Sequence, residues 1–307
     1  MPLVRAGIID LPSHRDPGGF DHAAVHRGRS RLYVAHPAND AVDVIDMAAA
    51  RYLRSVTGLK GVAGALVDED HDLVFTSNRG ENTVGFFAPD VDGDLARVDV
   101  GIGPNGLAFA SDSGTLLCAN VGDPHVPGST TVTLVDVRKR VVLASLPVPG
   151  RTRWAVYDPT QGLFFVNIAD PPEIFAMDPR ALAAVRHIPV PGRGPHGLDI
   201  DLSRRRLYCA CDDGQLVCLD SDSGVVLGAL ELSGAPDVIF LDRVRTHLHV
   251  AVGDPGVIDV IDTAEWRKVE TVCTERGAHT LALDESGHRV YAFLPASHRA
   301  AVFEDQR

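Results

Sequence analysis

His196, Asp237 and His279 follow one another at intervals of 41 and 42 residues. Two imidazoles and a carboxylate are a common ligand set for a divalent metal such as zinc, iron or manganese, with coordination positions left open for substrate. A metal held this way acidifies a bound water and polarises a carbonyl, the two services that hydrolysis and elimination require. Arg153 lies 43 residues before His196, and its planar guanidinium forks onto a carboxylate group. The alternative for Arg153 is an ion pair with Asp21 or Asp237. His36 is the candidate general base, with His22 as a second, because imidazole titrates near neutral pH. Asp21, His22, Asn78, Asn105, Asn120 and Asn167 make up the remaining candidate ligand contacts. For the asparagines the competing role is structural, since their amides readily bond to nearby backbone.

These residues share a place in a pattern that recurs through the chain. Gly194-Pro195-His196-Gly197-Leu198-Asp199-Ile200-Asp201 leads to Arg206-Leu207-Tyr208-Cys209-Ala210-Cys211. Ala278-His279-Thr280-Leu281-Ala282-Leu283-Asp284 leads to Arg289-Val290-Tyr291-Ala292-Phe293, and Pro104-Asn105-Gly106-Leu107-Ala108-Phe109 to Leu116-Leu117-Cys118-Ala119-Asn120. Anchoring each unit at its strand start gives Asp21, Ala63, Asn105, Arg153, His196, Asp237 and His279, separated by 42, 42, 48, 43, 41 and 42 residues. A period near 42 with only strand patterns inside it predicts an all-β, seven-bladed β-propeller of four-stranded antiparallel blades.

Within a unit the first strand is short and apolar and belongs innermost. A second carries runs such as Arg31-Leu32-Tyr33-Val34, and a third ends in an apolar pair plus Asp, as in Val44-Ile45-Asp46 and Val260-Ile261-Asp262. That Asp is expected to cap a turn by accepting backbone N–H bonds. The last unit runs out after its third strand, while Val4–Asp10 forms a strand with no unit of its own. The N-terminal strand therefore closes the ring, removing an exposed sheet edge. Residues 1–307 then form a single domain. The long interval holds an insertion, Val121–Ser129, expected as a rim or lid loop.

A propeller puts the start of each innermost strand and the end of each second strand on one face, around the central channel. Two rings follow. The strand-start ring is the set of seven anchors, and the second ring is His36, Asn78, Asn120, Asn167, Cys211, Val252 and Leu294.

The formal charge of −12 has no basic face to suit nucleic acid or an anionic membrane. No apolar run approaches 18 residues, so no membrane span is expected. Met1–Gly7 shows no basic stretch leading into an apolar one, and a cytoplasmic location is expected. Five cysteines sit in apolar strand-like runs and are expected as small buried hydrophobes. Cys209 and Cys211 retain a metal pair as the alternative. The chain contains no G-x-S-x-G elbow, no H-E-x-x-H, no phosphate-cradling loop and no dinucleotide fingerprint.

Arg31-Leu32-Tyr33-Val34-Ala35 followed by Ala41-Val42-Asp43-Val44-Ile45-Asp46 resembles the YVTN-type repeat of YncE-like seven-bladed propellers, and nearly the whole chain carries versions of it. More distantly, the period and polar strand ends are similar to the gluconolactonase/regucalcin and virginiamycin B lyase propellers. That similarity implies a divalent metal at the channel mouth with lactone hydrolysis or lyase chemistry. The chain departs from those groups in having His, Asp and Asn where they place Glu at the strand starts. The expectation from residues and resemblance together is a metal-dependent hydrolase, lactonase or lyase acting on a small polar molecule. The alternative is a non-catalytic propeller scaffold that binds a protein partner or small ligand.

Overall fold

The structure, a computed structural model, describes residues 3–89 and 95–306. The strands inside each repeat pair in sequence order, innermost to outermost, and the described residues form seven four-stranded antiparallel sheets. Blade 5 shows the pattern: Pro195–Asp201, Arg206–Cys211, Gln215–Asp220 and Val226–Glu231. In blade 7 the order is Thr280–Asp284, Arg289–Leu294, Arg299–Asp305 and then Leu3–Asp10 from the other end of the chain. Leu3 pairs with Asp305 and Asp10 with Arg299, so the N-terminal strand closes the ring as expected.

The core explains why the second and third strands read as unbroken apolar runs. Each blade has a neighbour on both faces, so both sides of its central strands are buried. Leu32, Tyr33, Val34 and Ala35 are all fully buried. Seven apolar clusters result, each lying between two adjacent blades. Leu32, Val34 and Ile45 of blade 1 pack on Tyr291, Phe293 and Val302 of blade 7. Phe75 and Phe86 of blade 2 pack on Leu107 and Leu116 of blade 3. The outermost strands face solvent on one side, and in blades 3 and 5 they leave Val141, Val142, Val226 and Leu227 exposed.

The Asp residues that close the strands act as turn caps. Asp46 accepts from Ala49 N, Asp136 from Lys139 N and Asp178 from Arg180 N. The same arrangement follows the innermost strand, where Asp158 accepts from Thr160 N and Asp201 from Ser203 N. On that face, hydrogen bonds join neighbouring blades: His26 reaches Asp72 at 2.9 Å and His288 reaches Asp242 at 2.6 Å.

Cys118, Cys209, Cys211 and Cys218 are buried free thiols, as expected, whereas Cys273 is exposed. It differs because it ends the outermost strand of blade 6, Arg267–Cys273, where apolar patterning no longer implies burial. Among the described residues no helix is long and apolar enough to cross a membrane.

Candidate ligand-binding mouth

A bulge at the start of the innermost strand aims the site residues. The pairing of first and second strands skips between Pro104 and Leu107, Thr152 and Ala155, Pro195 and Leu198, and Pro236 and Ile239. The residues inside each skip leave the ladder: Asn105-Gly106, Arg153-Trp154, His196-Gly197 and Asp237-Val238. A bulge re-aims a side chain in this way, and here the first residue of each pair turns to the channel mouth. In blades 3 and 5 the second is glycine for a steric reason. A Cβ on Gly106 would stand 2.3 Å from the Arg153 carbonyl oxygen, and one on Gly197 2.3 Å from that of Asp237. The missing side chain lets the next blade's site residue approach.

Blade 4 breaks the pattern with Trp154. Its ring crosses the channel to lie 4.1 Å from that of His22 in blade 1 and 5.9 Å from that of Phe240 in blade 6, centre to centre. Trp154 and His22 thus form a floor beneath the mouth.

Above that floor, six blades contribute charged or polar side chains. His196 Nδ1 lies 2.7 Å from Asp212 Oδ1, and its Nε2 lies 3.1 Å from Asp237 Oδ1. Arg153 Nη2 lies 3.3 Å from Asp212 Oδ2, while its Nη1 stands 3.2 Å from His196 Nε2. Arg79 Nη2 donates to Asn105 Oδ1 at 2.5 Å, and its Nη1 is 3.9 Å from Asp21 Oδ2. The Arg151 guanidinium adds a further positive charge beside Arg79, Arg153 and Asp212.

Burial works against a charged His196, but the field of Asp237 and the hydrogen bonds to Asp212 and Asp237 outweigh it and raise its pKa to about 9. It is therefore an imidazolium at neutral pH, and its Nε2 proton belongs to Asp237. Burial also works against the Asp237 carboxylate, yet His196, with smaller help from His279 and His22, holds its pKa well below the usual range. His22 is pushed the other way, because its burial outweighs the nearby carboxylates and keeps the ring neutral.

The structure separates the expected site residues into two groups. Asp21, His22, Asn105, Arg153, His196, Asp237 and His279 gather at the mouth. His36 does not. It is fully buried at the contact of blades 7 and 1, with Nδ1 2.7 Å from Asp43 and its ring 4.5 Å from that of Phe20. Asn78, Asn120 and Asn167 are also fully buried. Asn78 donates to Thr83, Asn120 to Thr131 and Thr133, and Asn167 to the carbonyls of His196 and Gly197. Asn167 is thus a positioning residue for His196. The residues that reach the mouth from the second strand lie one step further on, Arg79 and Asp212.

His196, Asp237 and His279 share the mouth but do not form a metal-ligand set. Both ring nitrogens of His196 face carboxylates, and His279 Nδ1 donates to the Gly277 carbonyl at 2.8 Å. Among the described residues no group of three or more His, Cys, Asp or Glu side chains is arranged to hold a metal ion. The insertion after blade 3's second strand folds on itself, with Asp123 N donating to Ser129 Oγ and Ser129 Oγ to the Asp123 carbonyl.

Neither a family model nor a curated protein matches the chain, so the YVTN-type family is not confirmed. Among solved structures, a chain of Kuenenia stuttgartiensis hydrazine synthase is similar, at 14% identity and a TM-score of 0.83. The match covers 99% of this chain and 97% of the other. That likeness is one of fold.

Proposed function

We propose that this propeller binds a small carboxylate-bearing molecule in the mouth above Trp154. The observation that carries the reading is the pairing of like charges there. Arg153 and the His196 imidazolium stand 3.2 Å apart, bridged by Asp212. A ligand carboxylate entering beside them would relieve their repulsion. It would accept a charge-assisted bond from Arg153 and feel the field of the His196 imidazolium, whose own protons stay with Asp212 and Asp237. Arg79, Arg151, Arg153 and His196 give four cations against the three carboxylates Asp21, Asp212 and Asp237. This is a locally positive bowl in a chain of formal charge −12, and such focusing concentrates anions. Arg153 Nε, buried without a partner, is a further donor.

A ligand-binding propeller fits this arrangement better than a metal-dependent lactonase, hydrolase or lyase, because both His196 ring nitrogens are taken by carboxylates and the expected base His36 is buried away from the mouth. The test is a thermal-shift panel of acetate, succinate, malate and citrate at pH 7. A ligand present at 100 times its Kd stabilises the fold by about 2.7 kcal/mol, which raises the melting temperature by several degrees. A shift that vanishes in Arg153→Met supports the reading, and no shift with any member of the panel counts against it.

A further inference from the structure

Below Trp154 the innermost strands line a chamber of about 630 Å³. This volume lies within the range of small-molecule sites, which are typically about 300–1,000 Å³. We infer that this chamber is a second site, for a small apolar molecule carrying one ammonium group. Its walls come from the innermost strands, and Phe109, Trp154, Tyr157 and Phe240 give it aromatic faces. Leu66 and Leu283 fill in between them.

The charge of the lining decides the class of ligand. Asp68, Glu69, Asp70, Asp199 and Glu285 supply five carboxylates, against two guanidiniums from Arg27 and Arg243. Both guanidiniums are already engaged. Arg27 Nε donates to Glu69 at 3.1 Å, and Arg243 is 3.2 Å from Asp199 and 3.7 Å from Glu285. Asp68 is held by His71 and its own turn. Asp70, by contrast, is exposed, whereas the half-buried Glu285 accepts from Arg243 N at 2.9 Å and keeps its second oxygen for a ligand. The chamber therefore has the opposite polarity to the mouth: carboxylates in excess at one end of the channel, cations in excess at the other. An ammonium is attracted by those carboxylates and by aromatic faces, whose quadrupole favours a cation, while its apolar body replaces water along the walls.

The chain has two tryptophans, Trp154 and Trp266, so Trp266→Phe leaves the one that lines the chamber as sole reporter. The experiment titrates this variant with n-hexylamine, 1-hexanol and hexanoate, reading Trp154 emission, and repeats the titrations by calorimetry on the unmodified protein. The expected result is saturable binding of hexylamine, about tenfold tighter than hexanoate on the electrostatic argument. Asp70→Asn with Glu285→Gln should remove most of that preference, and Arg153→Met should leave hexylamine binding unchanged. Equal binding of hexylamine and hexanoate would overturn the inference, as would saturation by neither method. Hexylamine binding that tightens in Arg153→Met, where a neighbouring like charge is gone, would place the amine in the mouth and overturn it equally.

Discussion

Replacing His196 by Gln should remove a specific part of the protein's alkaline instability. The folded-state pKa of His196 is raised to about 9 from an ordinary 6.5. A raised histidine contributes stability that is complete below pH 6.5 and is lost as the pH climbs through 9. At about 1.4 kcal/mol per pH unit the gap corresponds to about 3 kcal/mol. The side chain is 17% exposed, and solvent screening brings the expected figure to about 2 kcal/mol. The assay is urea unfolding of wild type and His196→Gln at pH 6 and pH 9.5. Buried thiols also weaken the fold at high pH, since Cys218 is raised to about 11 by burial and its unfolded counterpart ionises earlier. That loss is common to both proteins and cancels in the difference between them. Wild type should lose about 2 kcal/mol more than the variant over this interval. Equal losses would refute the carboxylate-bracketed imidazolium on which the account of the mouth rests.

Three further outcomes follow from the same geometry. His249 is fully buried with neither ring nitrogen hydrogen-bonded and Nε2 3.8 Å from Asp305 Oδ2, and burial outweighs that carboxylate and holds its pKa down to about 4. The unfolded chain then takes up a proton that the folded one refuses, so up to about 3 kcal/mol of stability is lost as pH falls from 6.5 to 4. His249→Leu should flatten that acid limb in urea unfolding, and an unchanged limb would contradict the assignment. Gly106→Ala should cost about 1–3 kcal/mol, because its Cβ would meet the Arg153 carbonyl at 2.3 Å. Thermal unfolding reads this, and a neutral result would show that the blade 3–blade 4 contact is looser than described. Deleting residues 1–10 should expose the edge of Arg299–Asp305 and cause concentration-dependent association seen by light scattering. A monodisperse variant with wild-type melting would refute the strand's role in closure.

The repeat was legible because interblade packing imposes it. A blade buried on both faces needs unbroken apolar runs such as Leu32–Ala35, and the turns need Asp at a fixed place, so both recur with the period. The N-terminal closure followed from one strand too many at the start and one too few at the end. The strand-start half of the site was legible for the same reason, since Asn105, Arg153, His196 and Asp237 hold equivalent positions. The second ring was misplaced by one residue. Side chains alternate along a strand, and at Asn78 and Cys211 they face the space between blades, leaving Arg79 and Asp212 to reach the mouth. His36 was misread in the same way. The bulge that turns Arg153 and His196 inward is a matter of pairing register, which no single residue type announces. Trp154 stands where two neighbouring blades carry glycine, and only the cross-channel contacts with His22 and Phe240 show it to be a floor.

The most direct test of the central claim is a calorimetric titration of the protein with the tightest-binding carboxylate of the panel, at pH 7 and at pH 10, alongside Arg153→Met. The account predicts saturable one-to-one binding at pH 7, weakened about tenfold or more when His196 loses its proton, and a comparable loss in Arg153→Met from the missing charge-assisted bonds. Affinity that is the same at both pH values and in the variant would contradict it, because the anion would then be held somewhere other than beside Arg153 and His196.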